Sequence, residues 1–266
     1  MKLGVLGPEG TYSEKAARRW RPDAEMVYLA DFEAVLTAVA DGSVHAGVVP
    51  LENSLEGTVP LTMDSLLRLP VKIMAEINEP IRHCLMGRGN GEIKVILSHP
   101  QALAQCRQYI REHYPKAEVR TTGSTSHAAK LAQEFQEMAA ISGAGAAEKY
   151  GLKILARDIQ DSDDNITRFA VAGLVDCPRT GRDKTSLAVY LDRDRPGALF
   201  DILQEFACRK INLTRIESRP SRRGLGDYYF FIDLEGHTSD PHVKAALQGI
   251  EKRSSMTKVL GSYPRA

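Results

Sequence analysis

Short β-rich runs alternate with helical patterns through the first 175 residues or so, and this alternation constrains the fold more than any other feature of the chain. Extended runs are expected at 2–6, 26–29, 46–49, 71–77, 93–97, 119–121, 139–142 and 170–172, with helical patterns at 13–20, 31–40, 62–69, 101–113 and 126–136. Parallel strands need a crossover connection, usually a helix, so this spacing predicts α/β layers on mostly parallel sheets. Ligands of such sheets bind beyond the C-terminal strand ends, where loops enter helix N-termini.

The pattern changes after Gly173. Residues 176–183 are polar and carry Pro178 and Gly181, as linkers do. Beyond them a strand is expected at 186–191, a turn at Arg195-Pro196-Gly197, and a helix at 198–209 with Leu199, Ile202, Leu203 and Phe206 at helical spacing. An extended stretch at 211–219, a hairpin turn at Arg222–Gly226, a strand at 228–234, a helix at 241–251 and a strand near 257–260 complete the series. That order, β-α-β-β-α-β over about 80 residues, is the ferredoxin-like split motif. The expectation is α/β throughout: a layered domain at 1–175 and a smaller module at 184–262.

Composition excludes several partners. With 35 basic against 34 acidic residues and a formal charge of +1, there is no electrostatic footprint for nucleic acid or a membrane surface. No apolar run approaches the ~20 residues that span a bilayer, and the apolar start at 1–7 is shorter than a signal-peptide core. A cytoplasmic protein is expected. Its four cysteines, Cys84, Cys106, Cys177 and Cys208, form no CxxC pair and are expected to be free thiols. The seven histidines do not cluster at ligand spacing, so no metal is expected.

Polar stretches fall at the strand-to-helix turns. Residues 7–14, GPEGTYSE, follow a strand and open a helix that Thr11 or Ser13 can cap; free N–H groups there favour an anion. Residues 48–59, VVPLENSLEGTV, end a strand in Glu52, Asn53 and Ser54; ordinary turn chemistry explains them equally well. In SHPQALAQC at 98–106, Pro100 suits the first helical position and Gln105 lies a turn beyond Gln101. Ser98 and His99 suggest a hydrolytic pair, but adjacent side chains rarely face each other and no orienting carboxylate is near. Ser124 and Thr125 open a further helix. Finally, Asp161-Ser162-Asp163-Asp164-Asn165-Ile166-Thr167-Arg168-Phe169 leads into a strand: Arg168 suits a bidentate grip on a carboxylate and Thr167 offers a hydroxyl. Its acidic approach fits no calcium loop.

Taken in order, GPEGTYSE, VVPLENSLEGTV, SHPQALAQC, STSHAA at 124–129 and DNITRF at 164–169, followed by GALFDIL at 197–203 and NLTRIESRP at 212–220, resemble the prephenate dehydratase family over essentially the whole chain. The resemblance implies two α/β lobes like those of periplasmic binding proteins, at about 1–78 with 158–175 and at 79–157. It also implies a C-terminal ACT regulatory domain. The implied reaction is decarboxylation of prephenate with loss of the ring hydroxyl, giving phenylpyruvate; aromatisation drives it, so no cofactor is needed. By this resemblance Thr167 assists the departing hydroxyl and Arg168 binds a carboxylate. Asn53, Ser98 and Gln105 join them in catalysis, while Thr11, Glu52, Ser54, Ser124, Thr125, Asn165 and Phe169 contact substrate. Gly197, Ala198, Leu199, Asn212, Leu213, Glu217, Ser218 and Arg219 match the family's phenylalanine effector site, and a homodimer or homotetramer is implied.

Two departures limit the transfer. Ser126 and His127 stand where relatives commonly carry Ala and an acidic residue, and with the resemblance starting at the first residues a monofunctional form, without a chorismate mutase segment, is expected. Arogenate dehydratase, acting on the amino-acid form of the substrate, remains an open alternative. So does a non-catalytic amino-acid sensor.

Overall fold

The computed structural model describes residues 1–89, 91–191, 195–221 and 227–266, so the turn expected at 222–226 lies outside the described residues. Three sheets form. The first contains β1 (Lys2–Leu6), β2 (Glu25–Leu29), β3 (Ala46–Asn53), β4 (Gly57–Thr58), β5 (Lys72–Pro80) and β11 (Ile166–Gly173) in the order β2-β1-β3-β11-β5, with β4 paired to β3. The second contains β6 (Cys84–Gly87), β7 (Val95–Ser98), β8 (Glu118–Thr121), β9 (Met138–Ser142) and β10 (Lys153–Ala156) in the order β10-β6-β9-β7-β8. The third contains β12 (Asp183–Tyr190), β13 (Leu213–Pro220), β14 (Tyr228–Glu235) and β15 (Met256–Pro264) in the order β13-β14-β12-β15. The helices are α1 (Tyr12–Trp20), α2 (Phe32–Ala40), α3 (Pro60–Arg68), α4 (Pro100–Gln105), α5 (Arg107–His113), α6 (Thr125–Glu134), α7 (Ala144–Lys149), α8 (Ala198–Ala207) and α9 (Pro241–Glu251).

The α/β alternation and the C-terminal β-α-β-β-α-β order are as expected, with differences that have physical causes. The second sheet is mixed: β7 pairs in parallel with β8 and β9, whereas β6 runs antiparallel to β9 and to β10. β6, β10 and α7 are additions to the expected set. All four residues of β6 are buried, so the strand lacks the period-two alternation that marks a half-exposed one. Its neighbours show why. Met86 packs with Val95, Leu97, Ala128 and Ala132, on the side of α6, and Leu85 packs with Ile96, Leu103 and Ile110, on the side of α4 and α5. The single helix expected at 101–113 is divided at Cys106, whose φ of −118° and ψ of 18° interrupt it.

The chain forms two compact units. One comprises Met1–Val35, Val48–Val59 and Asn78–Phe169; the other comprises Leu36–Gly47, Pro60–Ile77 and Ala170–Ala266. In the second unit α8 and α9 cover one face of the third sheet, burying Ile202, Phe206, Val243 and Ile250 against Leu187, Val189, Ile232 and Leu234. Lys184 Nζ lies 2.8 and 2.7 Å from the two carboxylate oxygens of buried Glu76, and Lys258 Nζ donates to the carbonyls of Leu66, Leu67 and Leu69 at the end of α3. That ammonium satisfies carbonyls that a helix end leaves without intrahelical donors. Cys84 and Cys106 are buried free thiols. Among the described residues no helix is long and apolar enough to cross a membrane.

β15 passes so close to β5 that only glycine fits at 261. Its φ is +154°, and a Cβ there would lie 2.2 Å from the Ile73 carbonyl oxygen. Gly261→Ala is expected to lower the unfolding free energy by roughly 1–3 kcal/mol or more, read as an earlier urea midpoint; an unchanged midpoint would show that this close approach is not maintained in solution.

Candidate functional site

Backbone N–H groups donate and never accept, and this sets the direction of a polar network at the start of β11. The N–H groups of Leu55 and Glu56 lie 3.0 and 3.1 Å from Asn53 Oδ1, which identifies that atom as the amide oxygen. Asn53 Nδ2 therefore donates outward, to Asn165 Oδ1 at 2.7 Å and to Thr167 Oγ1 at 2.9 Å, with the Ile166 carbonyl at 3.3 Å. Asn165 Nδ2 in turn donates to Gln105 Oε1 at 2.6 Å, and the same oxygen lies 2.9 Å from His83 Nε2. Asn53, Asn165, Thr167 and His83 are all buried. Each amide orientation follows from the one before it, starting from two backbone donors.

This polarity leaves two donors without an acceptor among the described residues. Thr167 Oγ1 accepts from Asn53, and no acceptor for its own proton occurs among the described residues. Gln105 receives two donors on its oxygen, and its NH2 group has no acceptor among the described residues. A hydroxyl donor and an amide donor, both held by buried carboxamides, suit oxygen-rich substrates.

Of the residues expected at the site, Asn53, Asn165, Thr167 and Gln105 are joined directly. Ser54 closes the loop beside them: its Oγ donates to the Asp164 carbonyl at 2.6 Å and accepts from the Ile166 N–H at 2.9 Å, which joins β3 to the start of β11. Arg168 goes elsewhere. Side chains alternate along a strand, so Thr167 and Arg168 point to opposite faces, as do Asn53 and Glu52. Arg168 Nη1 lies 3.0 Å from Glu52 Oε1, and the Arg168 side chain is only 8% exposed. The two residues assigned separate tasks, Thr167 at the departing hydroxyl and Arg168 at a carboxylate, thus stand on opposite faces of β11. Phe169 is 2% exposed and belongs to the core, not to an open ring contact.

The remaining hydroxyls sit at helix and strand ends. Thr11 caps α1, accepting from the Glu14 N–H and donating to the Leu6 carbonyl, so both of its functions are engaged. Ser124 caps α6 by accepting from the His127 N–H, and Thr125 is the first residue of that helix. Ser98 is fully buried and donates to the Ile141 carbonyl at 2.6 Å, while His99 Nδ1 accepts from the Gln101 N–H. The two are thus turned apart, and the hydrolytic pair does not form. The acids of 161–164 are also used locally: Asp161 accepts from the Gln108 N–H near the start of α5, and Asp163 pairs with Arg82.

Two residues outside the expected set belong here. His83 ends the network, and Tyr12 stands edge-on to it with ring centroids 6.3 Å apart while donating to the Arg82 carbonyl. Tyr12, Arg82, Thr11 and Gly143 help line a cavity of about 610 Å³. A lone histidine ahead of an apolar run carries no sequence pattern; its meaning comes from Gln105, 22 positions away.

On the C-terminal side, Gly197 caps α8 with a φ of +83°, which favours glycine; Ala198 and Leu199 open that helix half-buried. Asn212 is exposed, and Leu213 begins β13. β13 lies at one edge of its sheet and alternates between half-buried and exposed residues, which separates Glu217 and Arg219 from Ser218. Arg215 lies 2.5 Å from Glu217, and Arg219 donates to the Pro60 carbonyl at 2.8 Å and reaches Asp64 at 3.0 Å, holding the first turn of α3.

Fold and site together define a layered α/β protein with a donor-rich polar site, carrying a ferredoxin-like module. Comparison with known proteins narrows this. The family described as prephenate dehydratase matches residues 3–175, and the ACT domain matches residues 185–252. The bifunctional chorismate mutase/prephenate dehydratase of Stutzerimonas stutzeri is 43% identical over 270 residues, covering 100% of this chain and 74% of that protein. The prephenate dehydratase of Methanocaldococcus jannaschii is 41% identical, covering 97% and 96% respectively. Among solved structures, the prephenate dehydratase from Arthrobacter aurescens in complex with L-Phe aligns with a TM-score of 0.93 at 39% identity, covering 100% of this chain and 90% of that one. GqqA, described as a novel type of quorum quenching acylase, aligns with a TM-score of 0.90 at 31% identity, covering 100% and 98%. The chain belongs to the prephenate dehydratase family.

Burial holds the His83 ring below its ordinary pKa of 6.5, opposed by the bond to Gln105. Below about 6.5 the unfolded chain therefore binds a proton that the folded protein excludes, and stability is lost as the pH falls through that window. His83→Gln, which cannot titrate, should show a shallower loss of unfolding free energy between about pH 7.5 and 5.5 than the unmodified protein. Parallel urea curves with identical pH slopes would count against a buried neutral imidazole.

Proposed function

We propose that the chain converts prephenate to phenylpyruvate, water and CO2 in L-phenylalanine biosynthesis, and that L-phenylalanine regulates it through the C-terminal module. The observation that carries this reading is the Thr167 hydroxyl, buried, oriented by Asn53 and left as an outgoing donor. In the reaction the bond from the ring to its carboxylate breaks and releases CO2. That electron pair enters the ring, and the ring hydroxyl departs, taking up one proton to become water. A donor aimed at the departing oxygen stabilises the charge that develops there. A threonine hydroxyl is a weak acid, so Thr167 orients and relays the proton, which comes from solvent. The gain in aromatic stabilisation drives the step, and no electron-sink cofactor is called for.

The other residues divide by placement. Asn53 and Asn165 aim Thr167 and Gln105. The Gln105 NH2 and the Ser124 hydroxyl are assigned to substrate oxygens. Ser54 and Ser98 hold strand ends. Arg168 and Glu52 brace β3 against β11 from the opposite face. Thr11 and Thr125 order the helix starts that bound the site. For the effector we assign the start of α8, at Gly197, Ala198 and Leu199, together with Asn212, Leu213 and the β13 segment Glu217-Ser218-Arg219. β13 is an edge strand with Ile216 46% exposed, and such an edge is a template for pairing with a second copy. We therefore expect a homodimer or a higher homo-oligomer, measurable by light scattering.

Purified protein mixed with prephenate should yield phenylpyruvate, and added phenylalanine should change the rate. Thr167→Ala is expected to lower kcat by about 10²–10⁴-fold while calorimetry still shows phenylalanine binding. Full activity in that variant would remove Thr167 from the chemistry. Phenylalanine binding without any turnover in the unmodified protein would favour the amino-acid sensor, and faster turnover of arogenate, with phenylalanine as product, would favour arogenate dehydratase. Replacing Glu217 and Ser218 together by alanine should weaken phenylalanine binding; undiminished binding would move the effector site elsewhere.

A further inference from the structure

His83 is 3% exposed, lies just ahead of β6 and is bonded to the polar network, yet the reaction as derived does not use it. Its protonation follows from the network. Gln105 Oε1 can only accept, so the His83 Nε2 that lies 2.9 Å away carries the proton and Nδ1 carries the lone pair. Nδ1 is fully buried and has no partner among the described residues. An unmatched buried acceptor weakens the folded protein, and an apolar side chain of similar size would avoid that cost. What the imidazole supplies that an apolar side chain cannot is the Nε2–H.

That N–H acts on Gln105. Asn165 Nδ2 donates to that amide oxygen, so a flipped Gln105 would set two NH2 groups against each other and would force the His83 proton onto Nδ1, which is buried with no partner among the described residues. The oxygen is pinned inward and the NH2 is turned out. We propose that His83 is a positioning residue of the dehydration site, acting through Gln105: its Nε2–H locks the Gln105 amide so that the NH2 group faces the substrate as a donor. The inference rests on the reading of this site as a prephenate site.

Four variants test it: His83→Leu, His83→Gln, Gln105→Leu and the His83→Leu/Gln105→Leu double variant, each assayed with prephenate and checked for its melting temperature. His83→Leu should lose about 10²-fold in kcat/KM. His83→Gln should recover most of that loss, because its amide N–H reaches the place of Nε2–H. In the Gln105→Leu background the His83 change should cost nothing further. Additive losses, equal losses in the Leu and Gln variants, or full activity in His83→Leu would each overturn the proposal. A histidine that is only structural would lower the melting temperature and the activity together, whatever occupies position 105. Should His83→Leu fail to fold, ¹⁵N NMR of the unmodified protein decides the point: Nε2 protonated and Nδ1 bare is expected, and a proton on Nδ1 overturns it. Absence of phenylpyruvate from the unmodified protein would sink the functional reading by itself, separately from the ring measurement.

Discussion

Two backbone N–H groups, from Leu55 and Glu56, hold the Asn53 amide oxygen, and the network through Asn165, Thr167, Gln105 and His83 takes its orientation from that contact. A carboxamide can present either end to a neighbour, so a chain of them is ambiguous until one end is fixed by a group that cannot change role. The β3–β4 hairpin supplies that group. From there donors and acceptors alternate through Asn165 to Gln105 and His83, and through Asn53 to the Thr167 hydroxyl. Because Asn53, Asn165, Thr167 and His83 are buried, water does not readily substitute for their partners, and the arrangement favours one pattern. The site is thereby ordered before a ligand arrives, which is what lets donors stabilise a developing charge without reorganising.

The pleat of β3 and β11 separates chemistry from support. On one face Asn53 and Thr167 address the site; on the other Glu52 and Arg168 pair at 3.0 Å. The guanidinium there reaches Glu52 on the face opposite the Thr167 hydroxyl. It joins the two strands that carry the reactive groups, so its loss would disturb the site indirectly. The short motif from 164 to 169 therefore contains two functions that period-two geometry keeps apart.

The C-terminal unit shows the same economy of fixed contacts. Lys184 engages both oxygens of buried Glu76, Lys258 satisfies the carbonyls at the end of α3, and Arg219 holds that helix's first turn through Pro60 and Asp64. Removing one partner of a buried ion pair leaves an uncompensated charge, typically at a cost of about 3–5 kcal/mol. These side chains tie the third sheet to residues 60–77, and the segment assigned to the effector, which includes Arg219, is part of that tie.

Much of this was legible in the chain itself. The alternation of strand and helix patterns, the linker after Gly173, the β-α-β-β-α-β order and the polar turns at 11, 53, 98 and 124 all follow from local periodicity and turn chemistry, which neighbouring residues decide. Strand β6 was not legible, because burial on both faces erases the alternation that would reveal it. The opposed faces of Thr167 and Arg168 were missed because the strand was expected to begin at 170, whereas β11 begins at Ile166. His83 could not be found at all. Its bond spans 22 positions, and the contacts that orient the network span 60, 112 and 114. The sequence by itself determined which elements form and which polar residues stand at their ends. Only the tertiary structure decided which of those residues meet and which atom of each amide donates, because hydrogen-bond direction is set by partners that folding brings together.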